Sequence, residues 1–404
     1  MKQLKLILLL TFLLGTLPFC KSETEGQYSQ KNALSTSAIP EIKTGADQPL
    51  HYLPLLKGKK VGLVVNQTSI INQKKSKHLV DFLLAEDIPV KKIFVPEHGF
   101  RGDADAGEAI ENGMDKSTGL PVISLYGSHK KPTPEDLKDL DLLIFDLQDV
   151  GVRFYTYIST LHYVMEACAE NNKPLIILDR PNPNGDYVDG PVLKNGFKSF
   201  VGMHPIPVVH GLTIGELARM INGEKWLKNG VKADISIIPV KNWDHAMPYS
   251  LPIKPSPNLP NELAIRLYPS LCFFEGTQIS VGRGTTFPFQ VIGAPDSRYG
   301  DFTFTPKSIP GMSKNPPYEG KKCYGLDLRG SELSHRFTLR YLLDMYKKSG
   351  KDPDFFNNFF NTLAGTDELK KAILAGKSEE EIKATWQKDL NHYKKKRSKY
   401  LLYK

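Results

Sequence analysis

Residues 142–149, LLIFDLQD, form the stretch that decides the fold. Four apolar residues run into acidic and amide side chains, and similar apolar runs recur between amphipathic stretches. The other runs are VGLVVN at 61–66, VKKIFVPE at 90–97, PVISLYG at 121–127 and PLIILDR at 174–180. Short buried runs that alternate with helical periods are typical of a parallel sheet covered on both faces. The sequence therefore predicts an α/β fold with a doubly wound parallel sheet.

The chain is long enough for more than this one sheet, since 404 residues exceed the roughly 150 of a typical domain. Residues 1–20 place two lysines before a short apolar run, which predicts an export signal. The polar residues 21–50 predict a tether. We expect the parallel-sheet domain at 51–190 and an α+β domain at 191–404.

Cys20 follows the residues LPF, and this stretch loosely resembles the cleavage site of a bacterial lipoprotein, where the cysteine becomes the lipidated first residue. The apolar run before it is too short to span a bilayer as a helix. We therefore expect an exported protein that is either periplasmic or anchored to a bacterial membrane through a lipid on Cys20.

The basic character of the chain is concentrated at one end. There are 53 Lys and Arg against 44 Asp and Glu, a net charge of +9, and six of the last twelve residues are basic while none is acidic. Since the excess is a terminal cluster rather than a groove, we expect no nucleic-acid partner. The cluster is typical of a solvated helix end, and contact with anionic lipid or wall polymers is the alternative.

A dinucleotide cofactor has to be considered for this class of fold. The turn after the first apolar run is NQTS at 66–69, without the glycines that let a pyrophosphate approach a helix. The sequence also lacks HExxH and any cysteine spacing typical of a metal site. We expect no cofactor and no metal. Cys168 and Cys272 lie in apolar contexts typical of buried free thiols.

Polar side chains follow the predicted strands, and ligands of parallel α/β sheets bind outside the carboxyl ends of strands. Strand ends are also loops, which are polar for structural reasons alone. The candidate binding residues at these ends are Asn66, His98, Asp149 and Asn182.

Glu97 opens the segment EHGFRG directly after the apolar IFVP. Entry into a partly dry cleft favours the neutral form of a carboxyl group, which suits a general acid. Arg101 lies four residues on and either contacts a ligand or pairs with Glu97 to hold the loop. Glu97 and His98 as a metal pair would point to opposite sides of an extended backbone.

Asp149, Arg153 and Tyr155 precede a predicted helix at 155–171. Their charges and ring suit a polyhydroxylated, carboxylated ligand, with Arg153 able to make a bidentate contact. Capping and aromatic packing are the structural alternative. Glu166 on the same helix is a candidate second carboxylate, although it lies over two turns from the rim and fits a solvated or paired residue equally well.

The second half of the sequence is rich in turn-forming residues. Asn258 lies in PSPNLP, Glu275 in FEGT and Arg283 in GRGT. Prolines and glycines at this density are typical of loops that line a cleft. We expect Asn258, Glu275 and Arg283 to face a ligand, with a Glu275–Arg283 salt bridge as the alternative.

These motifs together resemble the exo-β-N-acetylmuramidase family, the NamZ-type glycoside hydrolases. The resemblance rests on NQTS, PEHGFRG, DLQDVGVRFYTYISTL, LDRPNPNG, HGLTIGELA, PSPNLP, FEGTQISVGRGT, PFQVIGAP and the closing YLLY, in order from about residue 50 to 404. It implies a Rossmann-like catalytic domain, a smaller C-terminal domain and a cleft between them. Gln278 and Asn184 depart from the family pattern, at positions that could alter the substrate rim.

The resemblance further implies release of N-acetylmuramic acid from the non-reducing end of peptidoglycan-derived glycans. PEHGFRG aligns the family's catalytic glutamate with Glu97, and HYVMEACAE aligns a second with Glu166. Glycoside hydrolysis requires an acid and a second carboxylate. Our hypothesis makes Glu97 the acid and Glu166 or Asp149 the second group.

The muramic carboxylate is then held by Arg101, Arg153 or Arg283. A periplasmic protein that binds muropeptides without cleaving them is the alternative. An amidase or esterase is less consistent with the sequence, which lacks a Gly-x-Ser-x-Gly elbow.

Overall fold

The computed structural model describes residues 40–71, 77–100 and 112–403. The expected export signal with Cys20, most of the expected tether, and Arg101 lie outside the described residues. Glu41–Lys404 form one compact unit. The boundary expected near residue 190 stays a prediction.

The fold is α/β, as predicted, and its central element within the described ranges is a seven-stranded sheet of order β5-β6-β4-β1-β7-β8-β9. All neighbours are parallel except the edge pair β5–β6. A three-stranded antiparallel sheet of order β10-β12-β11 lies in the smaller C-terminal domain, and β2 pairs with β3. The strands are β1 Val61–Val65, β2 Ile70–Ile71, β3 Lys77–His78, β4 Val90–Val95, β5 Gly113–Met114, β6 Pro121–Ser124, β7 Leu142–Asp146, β8 Leu175–Leu178, β9 Ile235–Ile238, β10 Val291–Ala294, β11 Phe302–Phe304 and β12 Cys323–Asp327.

Helices connect the strands and fill the C-terminal part. Those in the described ranges are α1 Pro49–Leu56, α2 Leu79–Ala85, α3 Pro134–Leu137, α4 Tyr157–Glu170, α5 Ile214–Gly223, α6 Glu262–Leu271, α7 Arg340–Lys348, α8 Phe359–Ala364, α9 Glu368–Leu374, α10 Glu379–Thr385 and α11 Gln387–Arg397. The basic C-terminal helix is interrupted at Trp386, whose indole donates to Asp189. None of the helices described here combines the length and apolarity needed to cross a bilayer.

Both faces of the sheet are buried, which explains the unbroken apolar runs of the strands. Val64, Phe94 and Phe145 pack into a large core that includes α4, while Leu63 and Ile144 point into a second core on the opposite face. Successive residues of a strand alternate between these two cores. The carboxyl ends of the strands are therefore where polar groups can collect.

The order of the strands reverses between β1 and β7, and side chains fill the space at this point. Arg180 forms a buried ion pair with Asp146, with Nε 2.6 Å from Oδ1. The backbone N–H of Gln148 donates to Oγ1 of Thr68, and the Ser69 hydroxyl donates to the Asp146 carbonyl. The space at which many α/β folds bind a ligand thus holds a structural network here, and the open cleft lies beside it at β4.

Candidate active site

A cleft opens at the carboxyl end of β4. It is lined by Glu97, His98, Phe154, Tyr155, Thr156, Tyr157, Ser256, Asn258, Leu259, Tyr268, Arg283 and Phe289. The structure therefore brings together five of the residues expected from sequence: Glu97, His98, Tyr155, Asn258 and Arg283.

Glu97 lies two residues beyond the end of β4 and is half-buried. The Tyr126 hydroxyl donates to its Oε1 over 3.1 Å, and the Thr156 hydroxyl donates to its Oε2 over 3.3 Å. Burial and the nearby Glu97 carboxylate raise the pKa of Tyr126, so its hydroxyl keeps its proton. The hydroxyl groups of Tyr126 and Thr156 therefore orient both oxygens of the Glu97 carboxyl group.

His98 is buried and adopts a left-handed backbone conformation with a φ of 72°. A non-glycine residue in this region costs about 1–3 kcal/mol and is held there by its surroundings. Its Nε2 lies 3.1 Å from Oγ of Ser256, which accepts the N–H of Asn258 over 3.2 Å. The turn after Glu97 is thereby joined to the loop that forms the facing wall.

Asn66 is not among the residues that line the cleft, but it supports the cleft wall through a buried contact. It has no exposed area, and its Nδ2 donates to the Tyr157 hydroxyl over 2.7 Å. Tyr155 and Gln67 donate to backbone carbonyls at Pro255. These contacts hold the loop at Pro255 against the strand ends.

Arg283 forms an ion pair with Glu275, with Nε 2.5 Å from Oε1, which is the structural alternative to the expected ligand contact. Burial disfavours the charged guanidinium, but the Glu275 carboxylate offsets this and the pKa of Arg283 is raised. Nη1 of Arg283 is buried and has no hydrogen-bond partner within the described part of the chain. The salt bridge and a ligand contact are therefore compatible, since one edge of the guanidinium remains available.

Asn258 also has a buried polar atom without a partner among the described residues, but this atom is an acceptor, whereas that of Arg283 is a donor. Its Nδ2 donates to the Met312 carbonyl over 2.7 Å, whereas its buried Oδ1 has no partner among the residues described. Unpaired buried polar atoms are costly. The cleft thus presents one unpaired donor, on Arg283, and one unpaired acceptor, on Asn258.

Glu166 lies elsewhere, inside α4. Its carboxylate accepts from Lys131 Nζ over 2.7 Å and from the N–H of Lys228 over 2.6 Å. Burial raises its pKa, but these donors outweigh burial and the pKa of Glu166 is lowered. Ten residues separate it from Thr156, or about 15 Å of helical rise. Glu166 therefore lies well along α4 from Thr156, the N-cap residue that contacts Glu97.

Arg153 makes its hydrogen bonds inside the protein and is not among the residues that line the cleft. It has no exposed surface. Its Nη1 and Nη2 donate over 2.7–2.9 Å to four backbone carbonyls, those of Pro191, Ile206, Leu363 and Ala364. Arg153 therefore joins distant segments of the chain.

Asn182 and Asp149 lie behind the cleft. Asn182 donates to the Leu212 carbonyl. Asp149 is buried, accepts the N–H of Gly151 over 2.7 Å and lies 3.7 Å from His210 Nε2. Burial raises the pKa of Tyr155, and the Asp149 charge adds to this, so Asp149 is within electrostatic reach of the cleft wall.

The described residues contain no group of three His, Cys, Asp or Glu side chains that could hold a metal ion. Cys168 and Cys272 are free and buried, as predicted, and so is Cys323.

The sequence analysis assigned no binding role to several residues of the cleft, namely Phe154, Thr156, Tyr157, Ser256, Leu259, Tyr268 and Phe289, or to Tyr126 beside it. Tyr126 lies at the end of a predicted strand, where the same rule that selected Glu97 applies. Tyr268 and Phe289 carry no such signal, because they reach the cleft from the less regular second half.

Comparison with known proteins covers most of the chain. The family model described as exo-beta-N-acetylmuramidase NamZ, N-terminal, matches residues 61–263, and the corresponding C-terminal model matches 266–403. A Bacillus subtilis (strain 168) protein named peptidoglycan beta-N-acetylmuramidase NamZ is 40% identical over 97% of this chain and 98% of its own length.

Two crystal structures of DUF1343 family proteins from Bacteroides fragilis share the fold. One has a TM-score of 0.84 at 47% identity, with 90% of this chain and 99% of that chain covered. The other has a TM-score of 0.79 at 31% identity, with coverages of 90% and 100%. The similarity thus extends over nearly the whole length of each relative.

Proposed function

The chain belongs to the exo-β-N-acetylmuramidase NamZ family, and we propose that Glu97 is the general acid of its cleft. The protein is a glycoside hydrolase that acts on peptidoglycan-derived glycans and releases N-acetylmuramic acid. As an exo-acting enzyme it removes this sugar from the non-reducing end. The observation that supports the site is the oriented carboxyl group of Glu97, which shares one cleft with the unpaired guanidinium edge of Arg283.

Glu97 supplies the proton that the leaving group requires. When the bond between the anomeric carbon and the bridging oxygen breaks, the bonding electrons stay on that oxygen, which takes the proton of Glu97. Water supplies the hydroxyl group of the released sugar, and its remaining proton is taken up by the second carboxylate and replaces, through solvent, the proton that Glu97 has given. Tyr126 and Thr156 hold the carboxyl group in place throughout, because each donates to one of its oxygens.

Asp149 is a better second carboxylate than Glu166. The transition state of glycoside cleavage carries positive charge on the sugar, which a nearby anion stabilises. The charge of Asp149 acts on Tyr155 and Tyr157, and both tyrosines line the cleft. Glu166 is held by Lys131 at a distance set by the helix.

Arg283 recognises the lactyl carboxylate that distinguishes muramic acid from glucosamine. A guanidinium edge binds a carboxylate in a charge-assisted hydrogen bond. Nη1 of Arg283 is the unpaired donor on the cleft wall. The Glu275 carboxylate on the opposite edge orients this guanidinium.

The proposed reaction is tested with the purified protein and a disaccharide of N-acetylmuramic acid linked to N-acetylglucosamine. We expect chromatography of the reaction mixture to show release of both monosaccharides. Binding heat in calorimetry without release of sugar would contradict hydrolysis.

Export fits this substrate, because peptidoglycan lies outside the cytoplasm. We infer from residues 1–20 that the chain is exported and that Cys20 receives a lipid. Mass spectrometry of the membrane fraction would show the lipid on Cys20, and its loss in Cys20→Ala would move the protein to the soluble fraction.

A further inference from the structure

Three half-exposed aromatic rings form a row that begins beside Glu97. The ring centroids of Tyr126 and Phe200 are 6.2 Å apart, and those of Phe200 and Tyr163 are 6.4 Å apart with nearly parallel planes. The Ser159 hydroxyl donates to the Phe200 carbonyl over 2.7 Å and fixes the middle of the row. All three residues are partly exposed to solvent.

The row and the cleft meet at the Glu97 carboxyl group, where Tyr126 contacts one oxygen and Thr156 contacts the other. Thr156, which binds Oε2, lines the cleft, whereas Tyr126, which binds Oε1, stands next to its wall. A general acid lies at the bridging oxygen, between the sugar that is released and the rest of the glycan. Since Arg283 holds the released sugar inside the cleft, the remaining glycan leaves past Tyr126.

The chemistry of the row suits a saccharide. Aromatic faces pack against the apolar C–H faces of sugar rings, and their polar ends remain hydrated. A positive charge accompanies the row, since Nζ of Lys130 lies 4.9 Å from the centroid of the Phe200 ring. Lys198, two residues before Phe200, is exposed.

Peptidoglycan glycans alternate the two amino sugars, so the second sugar beyond the cleaved bond is again muramic acid. Its carboxylate, when no peptide is attached, complements the charge of Lys130 and Lys198. The first sugar beyond the cleaved bond carries no charge, and the surface offered to it consists of aromatic rings.

We propose that Tyr126, Phe200 and Tyr163, with Lys130, bind the glycan beyond the cleaved bond, so that the enzyme prefers chains longer than the disaccharide. This inference rests on the proposed function. It adds a binding surface of stated chemistry, a peptide-free glycan with a carboxylate on its second sugar.

The test compares kcat/KM for an aryl N-acetylmuramide, the disaccharide and the tetrasaccharide. We expect the wild type to prefer the tetrasaccharide over the disaccharide by about tenfold, which corresponds to about 1.4 kcal/mol. Phe200→Ala should remove this preference, and Phe200→Tyr, which keeps the ring, should retain it. Lys130→Gln should lower kcat/KM for the tetrasaccharide and leave kcat/KM for the disaccharide unchanged.

Phe82→Ala is the matched control, because Phe82 is also half-exposed beneath a lysine, Lys77, but lies on α2. It should keep the wild-type preference. Equal kcat/KM for disaccharide and tetrasaccharide in the wild type, or an unchanged preference in Phe200→Ala, would overturn the inference while leaving the hydrolase assignment intact. Absence of turnover on all three substrates would instead overturn the proposed function, and the inference with it.

Discussion

Nε of Arg283 lies 2.5 Å from Oε1 of Glu275, while Nη1 of the same guanidinium is buried on the cleft wall without a partner in the described ranges. Arg283→Lys keeps a positive charge but loses the planar fork. We expect KM for an aryl N-acetylmuramide to rise by about tenfold or more, the loss of one charge-assisted hydrogen bond. Turnover of the corresponding N-acetylglucosaminide, which has no carboxylate, should change much less.

Arg329→Lys is a suitable control for this change, because Arg329 also pairs with a carboxylate, Asp327, but is exposed. It should leave both KM values unchanged. An equal rise of KM for both sugars in Arg283→Lys would mean that Arg283 shapes the cleft and does not read the carboxylate.

Asp149 and Glu166 can be separated by matched amide substitutions. Asp149→Asn removes a charge that acts on the cleft wall, so kcat on an aryl N-acetylmuramide should fall by at least about tenfold, an effect of 1.4 kcal/mol on the barrier. Glu166→Gln weakens contacts with Lys131 and Lys228 inside the fold. It should lower Tm and should lower kcat less than Asp149→Asn does. The reverse ranking of the two kcat values would restore Glu166 as the second carboxylate.

Arg153 should matter for stability. Arg153→Met leaves four buried carbonyl groups without their donor, and we expect the free energy of unfolding in urea to fall by about 3 kcal/mol or more. Arg298→Met, which removes an exposed ion pair with Asp296, should change it by less than about 1 kcal/mol. A small effect at Arg153 would show that water replaces its hydrogen bonds.

The strand-end rule explains which of these roles could be predicted. It found Glu97 and His98, because β4 ends in an apolar run and the turn after it must face the rim of the sheet. It did not distinguish Arg153, since the direction of a side chain in the turn before α4 depends on backbone contacts with residues more than 200 positions away. The position of Arg283 in the same cleft as Glu97 was likewise beyond local patterns.

The same limit applies to the sheet. Its five central strands were predicted from apolar runs, and the parallel order follows from their burial on both faces. β9 was missed, because ISII at 235–238 is short and partly exposed. The last strand of the sheet is therefore recognisable only by its pairing with β8.

Asp179 gives the fold a specific pH dependence. Burial raises the pKa of Asp179 to about 6 although Thr213, Tyr403 and the N–H of Gly215 donate to its carboxylate. The folded state therefore holds this proton more tightly than the unfolded chain, whose pKa is near 3.8. Its contribution to stability is present at low pH and is lost as the pH rises from about 4 to 6.

The comparison of wild type with Asp179→Asn isolates this contribution. The free energy of unfolding of the variant minus that of the wild type should increase between pH 4 and pH 6 by up to about 3 kcal/mol and then level off. Urea unfolding at several pH values measures it. A difference that stays constant or decreases over this range would contradict the raised pKa.

The role of Glu97 is tested most directly by kcat/KM of Glu97→Gln on an aryl N-acetylmuramide whose leaving group needs protonation. The glutamine can accept from one of the Tyr126 and Thr156 hydroxyl groups and donate to the other, but it cannot give a proton to the leaving group, so we expect a loss of about 10²–10⁴-fold with an unchanged circular dichroism spectrum. Glu86→Gln, on the exposed end of α2, should retain full activity. Near wild-type turnover by Glu97→Gln would show that the acid of this enzyme is a different residue.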